Sequence, residues 1–233
     1  MDRQKIFEQG EMAMVRLRFA DAIALSDQIL RHDPSDVPAL YLKAQALSNL
    51  QRFPESVELL DRILDRVARD SDMFWETLLT KGEVLLDMSA VDEAEACFDQ
   101  VTAMVPRLAR AWIEKGRVAA RRKDFARSLE YCERAISIDP SDSRAWNNQS
   151  FAELQLDRLD DCIGSAKQAV ALKPDYATAW MWLAEAHQRK GDSKRSAQCR
   201  EKAQQTLQSG TMFVSNGHKP GPSPAPKKKW WQL

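Results

Sequence analysis

The chain has 233 residues, 44% of them hydrophobic, and a formal net charge of zero. That length suits one or two ordinary domains or one repeat array, and the charge balance gives no whole-chain attraction to nucleic acid or to a membrane surface. Only eight glycines occur, three of them from Gly210 onward, and a body so poor in glycine and in β-branched runs favours helix over sheet.

The N-terminus, MDRQKIFEQGEM, is charged from its second residue and has no apolar core, so it is not expected to be a secretory signal. No stretch approaches the ~18 consecutive apolar residues needed to span a bilayer. The four cysteines, 97, 132, 162 and 199, stand apart without a CxxC pair. They are expected to be reduced, helix-packed thiols of a cytoplasmic protein.

A repeat sets the chain order. With Ala109 as position 1 of a 34-residue unit, position 4 is Ile6, Leu40, Leu78, Trp112, Trp146 and Trp180. Position 8 is Gly10, Ala44, Gly82, Gly116, Ser150 and Ala184, and position 20 is Ala22, Ser56, Ala94, Ser128, Cys162 and Ser196. Both positions are small throughout, so two helices of one unit can approach closely there. Large residues at positions 4 and 17 fill the space beside that contact. Pro34, Pro106, Pro140 and Pro174 at position 32 stop the second helix. Ser35/Asp36, Ser141/Asp142 and Asp175 are placed to cap the next one.

These offsets resemble the tetratricopeptide repeat, a helix-turn-helix unit of 34 residues. The resemblance covers residues 3–208 as units 3–36, 37–74, 75–108, 109–142, 143–176 and 177–208. It implies an all-α fold, a right-handed α-solenoid of six helix hairpins. The second unit has 38 residues, and its four extra residues are expected to add a turn to its second helix, ended near Ser71. The sixth unit has Ser193 and Arg200 where apolar residues are usual, so its outer side reads as a terminal cap. Residues 209–233 carry Lys219, Lys227, Lys228 and Lys229, no acid and four prolines, and are expected to form a disordered tail ending in KKKWWQL. Without it, residues 1–208 carry a charge of −4.

Catalysis needs convergent groups, and His32, His187 and His218 are isolated. No GxxxxGK[ST], GxGxxG or HExxH occurs. The chain is therefore expected not to be an enzyme and to hold no metal or cofactor. The tryptophans at position 4 are expected to pack structurally. The resemblance implies instead a concave groove lined by first helices, in which positions 2, 5, 9, 12 and 13 face a ligand. Position 5 is Phe7, Tyr41, Leu79, Ile113, Asn147 and Met181, an apolar ridge that either serves a partner or fills gaps between neighbouring first helices. Phe151 and Leu154 stand beside it. Glu8, Glu11, Glu76, Glu83 and Asp87 give the first three units an acidic stripe, whereas Arg110, Arg117, Arg121 and Arg144 give the fourth and fifth a basic one. The arginines are candidates for reading a carboxylate or phosphate of a bound peptide.

Chaperone-tail-binding members of that family hold a carboxylate pair with Lys, Asn and Arg at set positions. The best window here gives Ile113, Arg117, Asn148, Thr178 and Trp182, of which only Asn148 matches, so that role is not expected. The expected function is a non-enzymatic scaffold that binds a peptide segment of a partner protein, with no nucleic-acid partner and no stable membrane anchoring. A self-assembling homo-oligomer, or an accessory subunit of an enzyme complex, is the alternative. The tail is open to three readings: an inert end, a segment docking Trp230-Trp231 into a groove, or a weak membrane contact.

Overall fold

The computed structural model describes residues 2–211, with side chains through residue 208. The chain divides into two compact units, with the boundary in the sequence between Met104 and Val105. The first holds α1 (Arg3–Val15), α2 (Phe19–His32), α3 (Val37–Asn49), α4 (Phe53–Leu64), α5 (Asp72–Asp87) and α6 (Val91–Met104). The second holds α7 (Ala109–Arg121), α8 (Phe125–Ile138), α9 (Ser143–Gln155), α10 (Leu159–Leu172), α11 (Ala177–Arg189) and α12 (Ser193–Thr211). No strand occurs among the described residues. Each unit is three antiparallel helix hairpins, stacked so that the second helix of one hairpin packs on the first helix of the next.

One turn joins the two helices of every hairpin. Position 15 is left-handed in all six: Leu17, Gln51, Ser89, Lys123 and Asp157 have φ between 58° and 65°, and Gly191 has φ 79°. The next residue's N–H reaches back five residues, as from Arg18 to the Ala13 carbonyl (2.8 Å) and from Asp124 to that of Ala119 (2.9 Å). This bond satisfies a carbonyl that the helix end would otherwise leave open. Only Gly191 adopts the conformation without side-chain strain, and a glycine-based search for the turn misses the other five.

The close approach at positions 8 and 20 is present. Ser56 donates to the Ala44 carbonyl (2.8 Å) and Ser128 to that of Gly116 (2.9 Å). In the first unit, Leu40, Leu47, Leu60 and Ile63 are fully buried around that contact. In the second, Leu183 and Ala184 of α11 pack with Ala166 of α10 and Cys199 of α12. The cysteines at 97, 132, 162 and 199 are free and buried.

Two expectations are corrected at helix starts. The four extra residues of the second unit do not lengthen its second helix, because α4 has only 12 residues and ends at Leu64. They lengthen the next first helix instead, since α5 begins at Asp72 and runs 16 residues. Ser71 is the reason: its hydroxyl accepts from the Phe74 N–H (3.2 Å) and sets the helix start there. Asp36 and Asp142 cap α3 and α9 as expected, but the N-cap of α11 is Tyr176 and not Asp175. Ser35 and Ser141 serve the preceding turn, bonding Asp33 and Asp139. At the other end, α12 continues past Gln208 to Thr211. The expected tail therefore begins later, and from residue 212 it lies outside the described residues.

Candidate functional site

The tryptophans of position 4 are half-buried, and each donates its indole N–H to the proline carbonyl closing the preceding hairpin. Trp112 bonds Pro106 (2.9 Å), Trp146 bonds Pro140 (2.8 Å) and Trp180 bonds Pro174 (2.9 Å). They are clamps across hairpin boundaries rather than a ligand box. Lys115 stands 5.3 Å from the Trp112 ring and 4.7 Å from that of Tyr131.

The seam between first helices is where position 5 lies. Tyr41 of α3 shares a hydrogen bond with Thr80 of α5 (2.8 Å). Asn147 of α9 accepts one from Thr178 of α11 (3.1 Å). The position-5 side chains are consequently spent on packing. Phe7, Tyr41, Leu79, Ile113 and Asn147 are all buried, and only Met181 is exposed, at 46%. The expected exposed ridge is thus corrected: adjacent first helices close over these side chains, which form the layer beneath the surface. Phe151 is half-buried and Leu154 is buried.

In the second unit, positions 2, 9 and 13 of α7, α9 and α11 are all half-buried or exposed. Phe151, at position 9 of α9, has Phe125 of α8 edge-on at 5.9 Å and Trp182 of α11 tilted at 5.0 Å. The Trp182 indole N–H is buried without a hydrogen-bond partner, a state that costs ~1–3 kcal/mol when uncompensated. Exposed Met181 adjoins Trp182 in α11.

The arginines divide. Arg144 holds Asp142 with two of its guanidinium nitrogens, Nη2 at 2.6 Å and Nε at 3.0 Å. Burial opposes ionisation of both, yet the pairing wins, so the Asp142 carboxyl lies below the usual range and the Arg144 guanidinium above its own. Arg117 pairs with buried Glu114 (2.5 Å). Burial pushes the Tyr176 hydroxyl up, and the charges of Arg144, Asp142, Arg117 and Glu114 all act on it. Arg110 acts on the same Asp142–Arg144 pair. The structure therefore gathers Arg110, Arg117 and Arg144 into one network with Glu114, Asp142 and Tyr176. Arg117 and Arg144 are already bound to carboxylates of the fold, which corrects their expected role as open charge readers. Arg121 is exposed and without an ion pair among the described residues.

Glu114 and Trp182 stand at position 6, a register position that the ligand-facing pattern omitted. Tyr176 sits at a cap position, where no periodic signal reports contact. Among the described residues, no three His, Cys, Asp or Glu side chains converge to hold a metal ion. No helix of the described residues is long and apolar enough to cross a membrane.

A stack of helix hairpins with small residues at the intra-hairpin contact, a left-handed turn residue and proline closures defines a protein of the α-solenoid class. Two tetratricopeptide repeat models match, one over residues 79–143 and 148–204 and the other over 17–81. The first alone spans more than half of the chain, and the protein belongs to the tetratricopeptide repeat family. DnaJ homolog subfamily C member 7 of Homo sapiens is 24% identical over 222 residues, covering 88% of this chain and 44% of the relative. The chain therefore spans less than half the length of that relative. The crystal structure of the APC/C hetero-tetramer Cut9–Hcn1 superposes with a TM-score of 0.78 at 13% identity, covering 89% of this chain and 40% of the other. YrrB, described as a tetratricopeptide repeat protein with an unusual peptide-binding site, superposes with a TM-score of 0.55 at 14% identity, covering 81% of this chain and 95% of its own.

Proposed function

We propose that the protein is a non-enzymatic interaction scaffold, and that α7, α9 and α11 hold an extended peptide segment of a partner protein along their shared face. One observation carries this: Phe151 and Trp182 pack with their rings tilted and centroids 5.0 Å apart, forming a half-buried aromatic step. Exposed Met181 adds apolar area, and exposed Arg121 adds one cation. The chemistry suits a segment with an apolar anchor and a carboxylate near it. Ile113 and Asn147 support the surface from below, and Arg110, Arg117 and Arg144 hold its position through their carboxylate network. In the first unit, Phe7, Tyr41 and Leu79 play the same supporting part.

That a relative of known structure carries a peptide-binding site adds weight to this reading, as do four reduced thiols to a cytoplasmic setting. The test is selection of displayed peptides on the full chain, followed by titration of the best ones. We expect selected peptides rich in apolar residues and Asp or Glu. Phe151→Ala and Arg121→Glu should each weaken binding tenfold or more, with the helical circular dichroism unchanged. Peptides that bind both variants as tightly as the parent would refute the assignment of this face.

A further inference from the structure

The turns that join first to second helices in the first unit fall on one edge of its stack, because each hairpin is antiparallel and packs on the next. Position 14 of these turns is Arg16, Leu50 and Met88, and position 15 of the first is Leu17. Leu50 is 42% exposed, Met88 40% and Leu17 39%, and Val15 at the end of α1 is 77% exposed. Lone exposed apolar residues need no explanation, but these follow one another across three successive turns. Leu17 also stands in the left-handed region at φ 59°, where a side chain costs ~1–2 kcal/mol that glycine avoids. Along the same edge, Arg18 pairs with Asp21 and Arg52 with Glu55. The third turn has Ala90 where those arginines stand. Glu93, in the first turn of α6, is exposed and has no ion pair among the described residues. Exposed Arg16 has none either. The edge is thus an apolar row with an unpaired cation at its first turn and an unpaired carboxylate at its third.

We infer that this edge is a homodimer contact, which meets the same edge of a second copy across a two-fold axis near Leu50. A row with opposite charges at its two ends is complementary to itself when reversed. Leu50 then faces Leu50, Val15 and Leu17 face Met88, and each Arg16 reaches Glu93 of the partner subunit. Two-fold contacts have this reciprocal form, residue i on j and j on i. Pairing in the same direction would set Arg16 against Arg16 and Glu93 against Glu93, and like charges in contact repel. An uncharged apolar helix of another protein would cover the row but leave both end charges unmatched. An edge of three turns is small, and interfaces below ~1,200 Å² are the weak, reversible kind. The edge belongs to the first unit, so the inference does not rest on the peptide reading of α7, α9 and α11, and the two fail separately.

Sedimentation equilibrium of the full chain tests it. The weight-average mass should rise from one chain toward two between about 1 and 300 µM, and no further. Leu50→Glu should raise the dimer dissociation constant at least tenfold, because it sets two carboxylates against each other at the axis. Arg16→Glu and Glu93→Arg should each raise it at least threefold, and Arg16→Glu/Glu93→Arg should return to within twofold of the parent. Arg16→Glu/Glu133→Arg has the same net charge but alters exposed Glu133 of α8 in the second unit, and it should stay weak. The four native thiols are buried, so oxidation of Leu50→Cys by copper–phenanthroline should give a disulfide-linked dimer, whereas Ser35→Cys at the opposite edge should give none. Circular dichroism of every variant should match the parent. A mass of one chain throughout, association indifferent to Leu50→Glu, or Leu50→Cys left unlinked by the oxidant would overturn the assignment. Equal recovery in both double variants would overturn it too, since net charge alone would then govern association.

Discussion

Replacing Gly82 by alanine adds one methyl group where the Phe98 ring already stands. The new Cβ would lie 2.5 Å from Phe98 Cε1, 2.8 Å from Cζ and 3.0 Å from Cδ1. Phe98 is fully buried, so its ring has no open space into which to swing. Overpacking of this kind costs ~1–3 kcal/mol, and the better helix propensity of alanine returns ~1 kcal/mol. With an immobile ring the net loss is about 1–2 kcal/mol. Gly164 supplies the control, since it is an exposed helical glycine and a Cβ there meets nothing within 4 Å. Gly164→Ala should therefore stabilise by ~0.5–1 kcal/mol. Urea unfolding followed by circular dichroism separates the two. With a slope near 2–3 kcal/mol per molar urea, the midpoint should fall by about 0.5 M in Gly82→Ala and rise in Gly164→Ala. A Gly82→Ala midpoint at or above that of the parent would refute the claim that position 8 is small because the second helix presses on it.

Further outcomes follow from single groups. Trp112→Phe keeps a ring but loses the indole N–H that bonds the Pro106 carbonyl. Because that carbonyl can turn to water, the loss should be ~0.5–1 kcal/mol, and an unchanged melting curve would remove the clamp. Glu153 is buried; Gln149 donates to its Oε1 (2.8 Å), while its Oε2 has no partner. Burial holds its carboxyl above the usual range, against the lowering effect of Gln149 and the nearby Ser165 hydroxyl. The native state then binds this proton more readily than the unfolded chain, so the contribution is complete below about pH 4 and is lost as pH rises through the raised value. Glu153→Gln should thus be the more stable protein by ~1 kcal/mol at pH 8 and indistinguishable at pH 4, whereas an equal gap at both would contradict the cause given. Burial pushes the Cys132 and Cys162 thiols up to about 12. A thiol-reactive chromophore at pH 8 should leave both unlabelled in the native protein and label them in urea, and rapid native labelling of Cys132 would show that its helix opens readily.

The repeat period, the small residues of positions 8 and 20 and the proline closures were legible in the sequence, because each obeys a local steric rule that recurs every 34 residues. They determined the helical class, the hairpin unit and the cysteines' packed state. Helix limits near Ser71 and Tyr176 were not legible, since capping depends on which donor a side chain meets. The left-handed residue of the turn was hidden for a related reason. Leu17, Gln51, Ser89, Lys123 and Asp157 have no residue type in common, and their conformation is imposed by the backbone bond that closes the helix. The candidate site depended most on tertiary structure. Register placed Phe7, Tyr41, Leu79, Ile113 and Asn147 on the side of the first helices that faces their neighbours, but it could not say whether those neighbours stand close enough to cover them. They do, and the same closeness ties Arg117 and Arg144 to Glu114 and Asp142. The periodic pattern alone thus determined which residues share a helix face. The spacing between helices, set by the bulk of every side chain in the stack, decided which of them remain for a partner.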